Sequence, residues 1–342
     1  MNSRAYWGAA LTALIFLLVQ LGALSLVPTF DAAGYQTIED TSDPTNSLLY
    51  IGAILVMTAL MLAAFKYNLD QVIRGIIILT SGMLAWYVFS VAVPSTVAIG
   101  LAALVSLALL FYPEWYVIDT AGVLMGAGAA GLFGISFGLL PAVVLLSLLA
   151  VYDAISVYGT EHMLDLAEGV MDLNIPVVLV IPLTLSYSLL DDGESDVDPT
   201  SAAADGGPAE TEDGGPTEVD DDADHEESES RGEAVSPDAA DRDAFFIGLG
   251  DAVMPTVMVA SGAFFLDAGN LGLSFLPVLN LAALLSMVGT FLGLGILLWM
   301  VMKGRAHAGL PLLNGGAIGG YLLGALLSGV SLVQALGLGP YL

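Results

Sequence analysis

The sequence predicts an all-α polytopic membrane protein with nine transmembrane helices. Of its 342 residues, 56% are apolar, and the mean hydropathy is +0.82. Several apolar runs exceed the ~18 residues that cross a bilayer core. The few basic residues also sort to one side of those runs, as a membrane protein with a fixed orientation requires.

The first span is expected at 6–27. Its apolar run is about twenty residues, longer than a secretory signal core, and no A-x-A cleavage site follows it. The others are expected at 47–65, 75–93, 95–112, 120–139, 141–160, 244–266, 279–302 and 309–330. Pro94 and Pro141 mark two tight turns. The run at 175–190, IPVVLVIPLTLSYSLL, has only 16 residues, is rich in β-branched side chains and is broken by Pro176 and Pro182. Charge arbitrates its place. With nine spans and a cytosolic N-terminus, all seven basic residues (Arg4, Lys66, Arg74, Arg231, Arg242, Lys303 and Arg305) fall on the cytosolic side. A tenth span would split them three against four. The run is therefore expected to lie against the membrane or pack partly into it. Before it, TEHMLDLAEGVMDL places Met163, Leu166, Val170 and Leu173 on one helical face, which predicts an amphipathic helix at the cytosolic surface.

This divides the chain into a six-span part (1–160), a cytosolic loop (161–243) and a three-span part (244–342). The formal charge of −28 is local, because 21 of the 35 acids lie between Asp191 and Asp243. That stretch has too little apolar surface to offset chain entropy, and Asp191 to about Ala240 reads as a disordered linker. No basic patch exists to hold nucleic acid. There are no cysteines, which excludes disulfides and thiolate metal sites. Of the three histidines, His162 and His307 sit at span ends and read as interfacial or solvated, and His225 lies in the linker. No metal or other cofactor is expected, and the chain is read as an integral protein of the cell membrane.

Outside the linker most acids sit in loops or near span ends. Asp153, in LLAVYDAISVYGT, and Asp251, in FFIGLGDAVMP, do not. A carboxylate in hydrocarbon needs a partner, a wet cavity or a proton. Each lies about seven residues from the cytosolic end of its span, so at 1.5 Å per residue both sit ~10 Å below one surface. They come from consecutive antiparallel spans and can face one another. No basic side chain lies in mid-span to neutralise them. Two such carboxylates share one proton, which is what aspartyl hydrolysis requires: one acid takes a proton from water while the other polarises the carbonyl. Gly248 and Gly250 leave room for another backbone beside Asp251. Pro255 cannot donate the helical bond to the carbonyl of Asp251 and is expected to loosen the helix there. In the last span, AGLPLLNGGAIGGYLLG puts Pro311 and Asn314 near the depth of the acids. These residues fit a site element and an ordinary helix start with packing glycines equally well.

The stretches YDAISVYGTEHM around Asp153, GLGD ending at Asp251, and PLL at Pro311, Leu312 and Leu313 resemble the YD, GxGD and PAL motifs of the presenilin and signal peptide peptidase family. The order of the motifs along the spans matches, and the likeness covers nearly the whole chain, most of all to the archaeal presenilin homologues. The resemblance implies a presenilin-like fold and an intramembrane aspartic endopeptidase. It implies catalytic roles for Asp153 and Asp251, with Tyr152, Gly248, Gly250, Pro311, Leu312 and Leu313 shaping the site. The partners are then transmembrane proteins or peptides as substrates, within the lipid bilayer. The middle residue of the PAL-like motif is Leu312 rather than Ala, and Asn314 replaces the frequent Pro; the larger Leu312 side chain is expected to narrow the substrate channel. An incoming substrate segment is expected to unwind and add as a strand onto local backbone, with 175–190 and 309–313 as the candidate platforms. The competing reading from another class is a proton-coupled transporter using the paired acids as a relay.

Overall fold

The computed structural model describes residues 3–38, 40–67, 69–159, 177–184, 187–192, 244–303 and 308–341. The amphipathic stretch at 160–173, the acidic linker from residue 193 on and all three histidines lie outside them; the linker's first two residues, Asp191 and Asp192, are helical.

Six helices come first: α1 (Ser3–Ala32), α2 (Thr45–Lys66), α3 (Asp70–Ala92), α4 (Ser95–Phe111), α5 (Trp115–Ser136) and α6 (Leu139–Gly159). Next are strand β1 (Val178–Pro182), the one-turn α7 (Leu189–Asp192) and strand β2 (Ala244–Gly248). The chain continues with α8 (Leu249–Phe265), α9 (Leu281–Val301), α10 (Gly309–Leu327) and the short α11 (Leu332–Ala335). Seven of these helices are long and apolar enough to cross a membrane; α4 and α8, of 17 residues each, are shorter. Each expected span overlaps one of these helices, with bounds shifted by five residues at four ends: α1 runs on to Ala32, past 27, and α3 starts at Asp70, ahead of 75. The span expected at 120–139 starts at Trp115, which draws Asp119 inside a helix. The span expected at 244–266 is helical only from Leu249, because its first five residues form β2.

Local chemistry sets the helix ends. Gly34 closes α1 at φ 71°, where its own N–H bonds the carbonyl of Asp31 (2.9 Å) and that of Tyr35 bonds Phe30 (3.0 Å). Only glycine adopts that left-handed turn without cost, and the Phe30–Tyr35 ring contact at 5.6 Å completes the cap. Gly329 ends α10 in the same way. At the start of α9, Asn280 accepts the N–H of Ala283 (2.8 Å) and donates to the carbonyl of Gly262 in α8 (2.8 Å).

Helix α8 is the centre of the bundle, packed on α1, α5, α6, α9 and α10. Small residues let its neighbours approach. A Cβ on Gly134 of α5 would collide with Ala260 of α8, and one on Gly22 of α1 would stand 2.8 Å from Ala127 of α5. Helices α9 and α10 are in backbone contact along their length. A Cβ on Gly316 would run into the carbonyl of Gly289, one on Gly320 into that of Leu285, and one on Gly293 into that of Leu312. The other glycine face of α10, Gly315 and Gly319, meets open space. Such approach replaces the hydrophobic drive that lipid does not supply.

Strands β1 and β2 pair antiparallel, with Val178 opposite Gly248 and Pro182 opposite Ala244. Within the run at 175–190, Val178–Pro182 is therefore a buried strand rather than part of a tenth span. Both its faces are covered, which is why it reads as a continuous apolar run rather than an alternating one. Leu179 and Ile181 pack with Ile15, Met125 and Val253. Val180 packs on the other face with Ile78, Leu109 and Ile118.

Candidate active site

Asp153 sits on α6 and is 8% exposed. Its Oδ2 accepts the backbone N–H of Leu310 at 3.0 Å. The donor is the second residue of α10, whose N-cap, Ala308, has no side chain that can accept a bond. A helix start leaves its first N–H groups without internal partners, so Asp153 supplies from another helix the acceptor that α10 lacks. The positive end of the helix dipole points at the same carboxylate.

Asp251 is half-buried in the first turn of α8. A Cβ on Gly248 would stand 3.7 Å from its Oδ2, and one on Gly309 would stand 3.6 Å from it. Gly309 and Leu310 are joined by one peptide bond. One carboxylate lies against Gly309 and the other holds the N–H of Leu310, so both converge on the first turn of α10.

Of the other residues singled out in the sequence, Gly248 joins β2 to α8 beside Asp251, and space is open around Gly250. Tyr152 is half-buried on α6, next in sequence to Asp153. Leu313 is fully buried with Phe16, Val19, Ala252, Leu294 and Leu297, and Leu312 packs against that cluster. Pro311 and Leu312 line a groove of about 420 Å³ between α9 and α10. The extra bulk of Leu312 is thus taken up by packing around α9. Asn314 is buried and donates its Nδ2 to the carbonyl of Leu146 at 3.1 Å, which ties α10 to the helix that carries Asp153. The 309–313 stretch is the first turn of a helix and not a strand; Pro311 belongs there because a first-turn nitrogen needs no hydrogen. Helix α8 runs unbroken through Pro255. Among the described residues no three His, Asp or Glu side chains stand where they would share a metal ion.

Sequence reasoning missed four residues. Gly309 and Leu310 act through a missing side chain and a backbone N–H, which residue type does not advertise. Glu114 and Asp119 were set aside as acids near a span end, yet they are 5% and 6% exposed. Their signal was the apolar WYVI between them, which continues span five toward its N-terminus.

A buried and a half-buried acid meeting at a glycine-opened helix start inside an apolar bundle is an arrangement with known relatives. The family described as "Signal-peptide peptidase, presenilin aspartyl protease" matches residues 13–330. The chain belongs to that family. It is an intramembrane aspartyl protease of the presenilin and signal peptide peptidase type, and the match does not favour the transporter reading. Its fold is similar to that of a presenilin-family intramembrane aspartate protease solved in space group C222. The TM-score is 0.60 at 30% identity, over 93% of this chain and 99% of that one. The structure of such a protease in space group P2 gives 0.57 at 30% identity, over 92% and 96%. No curated protein sequence matches the chain.

Proposed function

We propose that Asp153 and Asp251 are the catalytic pair and cut peptide bonds within or near transmembrane segments of membrane proteins. The observation that carries this is the meeting of both carboxylates at Gly309 and Leu310. Between them they hold one proton. The ionised acid takes a proton from a water molecule, whose oxygen attacks the scissile carbonyl carbon. The protonated acid gives its proton to the carbonyl oxygen. Collapse of the tetrahedral intermediate breaks the C–N bond, and a carboxyl proton passes to the leaving nitrogen.

A helical substrate hides its amides in its own hydrogen bonds, so it must unwind before it is cut. The edge of β2 offers the unwound segment new partners. In an antiparallel pair the residues alternate between those that bond across the ladder and those that face away. The N–H of Val180 goes to Asp119 (2.8 Å), and the N–H of Leu249 goes to the carbonyl of Val177 (2.7 Å). In this register Leu179–Ile247 and Ile181–Phe245 are the bonded pairs, and Ala244, Phe246 and Gly248 turn their polar groups away from β1. A substrate strand on that edge runs toward Asp251, three residues beyond Gly248. The asymmetry of the basic residues supports a cytosolic N-terminus and 161–243 loop in the cell membrane, with substrates whose N-termini lie outside.

The test is a cleavage assay in liposomes with a single-span substrate. Asp153→Asn and Asp251→Asn are each expected to lower turnover by ~10²–10⁴-fold, the usual worth of a positioned acid or base. Full activity in either variant would refute the assignment.

A further inference from the structure

Asp119 is a buried carboxylate, and the reaction above makes no use of it. It stands in the second turn of α5 and bonds Val180, which packs with Ile78, Leu109, Ile118 and Ala121. Its Oδ1 accepts the N–H of Val180 at 2.8 Å, while its Oδ2 is buried without a hydrogen-bond partner among the described residues. An acid in such surroundings is costly, and a neutral side chain of similar size would fill the space more cheaply. What the acid does there is hold one backbone group, the outward-facing N–H in the middle of β1. Five residues earlier, Glu114 holds the continuation of the same segment. Its Oε1 accepts the hydroxyl of Ser188 at 2.7 Å and its Oε2 the N–H of Leu189 at 3.2 Å. The two acids fasten the segment from β1 to α7 along the start of α5.

The consequence for the sheet is directional. A strand edge covered by a helix cannot add another strand, so β1, whose outward N–H of Val180 is held by Asp119 on α5, is closed on its outer side. Its inner side is taken by β2. Because β1 is fixed on α5, the register that sets Gly248 opposite Val178 also fixes where β2 stands relative to α8 and Asp251.

We propose that Asp119 is a positioning residue for cleavage: by holding Val180 it closes the outer edge of β1 and anchors the sheet, so that a substrate strand joins β2 alone and is cut at one register. This rests on the strand-addition reading above. A loosened sheet slips or admits a second mode of pairing, and registers that keep the same face differ by two residues. Loss of the anchor therefore redistributes cleavage among neighbouring peptide bonds.

The experiment uses the full chain in detergent micelles, a single-span substrate and mass spectrometry of the products, with size-exclusion profiles as the control for folding. Asp119→Ala is expected to lower the share of the dominant cut, relative to its neighbours, by at least ~3-fold, the size of a modest coupling energy. Asp119→Asn keeps an oxygen for Val180 and retains the native pattern. Val180→Pro removes the N–H that Asp119 holds, at a position where the nitrogen faces away from β2, as it does at Pro182. It is expected to redistribute the cuts as Asp119→Ala does, and the double variant to be no more disturbed than either. If Asp119→Ala does not fold, Val180→Pro and Asp119→Asn carry the test. A native product pattern in Val180→Pro, or a pattern in Asp119→Asn as altered as in Val180→Pro, overturns the proposal. Phe246→Pro separates the two levels of the argument. If it loses cleavage while Val180→Pro keeps the native pattern, the anchor role alone falls. If it cleaves at the native rate, strand addition falls and takes the anchor role with it.

Discussion

Gly316→Ala and Gly319→Ala make the same chemical change one turn apart on α10, and they should act in opposite directions. In a helix interior, Gly→Ala gains about 1 kcal/mol through backbone entropy. At Gly319 nothing lies within 4 Å of the added carbon, so the gain is kept and the variant should be stabilised by ~0.5–1 kcal/mol. At Gly316 the added carbon runs into the carbonyl of Gly289, and the obstacle is backbone, which has no rotamer to escape into. The two helices must part by roughly 1 Å to restore an ordinary contact of ~3.5 Å. Overpacking of this kind costs ~1–3 kcal/mol, and because both variants share the propensity gain, they should differ by that ~1–3 kcal/mol. Unfolding in mixed micelles, followed by tryptophan fluorescence, measures the difference. Cleavage provides the second readout. Moving α10 off α9 pulls the N–H of Leu310 from Asp153, so Gly316→Ala should also lose activity while Gly319→Ala keeps it. Equal stability of the two variants would refute the packing argument. Instability of Gly316→Ala with native turnover would refute the link from packing to the acids.

Proline in β2 distinguishes its two kinds of position: Phe246→Pro should preserve stability and lose at least ~10-fold in turnover, the scale of one or two backbone bonds to substrate. Ile247→Pro removes a bond to β1 instead and should destabilise the fold itself by ~1–3 kcal/mol, measured by the same unfolding assay. Asn280→Ala removes both the cap of α9 and the bond to Gly262, and should cost ~1–2 kcal/mol with the cleavage pattern unchanged.

The sequence made the acids legible because their cost in lipid is so high. Asp153 and Asp251 stood out by depth, and the structure brings both to one helix start. The run at 175–190 was separable from a span by its length and prolines, and Val178–Pro182 within it form a strand. The limits of the sequence reading are just as specific. Asp119 was read as lying at a span end because the start of span five was placed five residues late, and only three-dimensional packing buries it. Nothing in the letters Gly-Leu marks a backbone N–H that another helix will use. The glycines of α10 were legible as small residues but not by face: Gly316 and Gly320 touch α9, while Gly315 and Gly319 do not. Leu312 was expected to narrow a substrate channel; its side chain packs beside α9 and lines the groove between α9 and α10.

The shortness of α8 has a consequence for what the protease asks of its surroundings. Seventeen helical residues span ~26 Å, less than the ~30 Å of a typical hydrocarbon layer. On the Asp251 side the chain makes up the difference as a strand, whose outward amides bond neither to themselves nor to β1. Water would satisfy them at no cost, but hydrocarbon leaves them thirsty. A thick bilayer that covers this edge makes the resting enzyme unhappy and the substrate-filled enzyme comparatively content. A thin one relieves the resting state and weakens the pull on the incoming chain. Under the strand-addition proposal, substrate affinity is expected to rise with lipid thickness, through the five residues the helix does not reach.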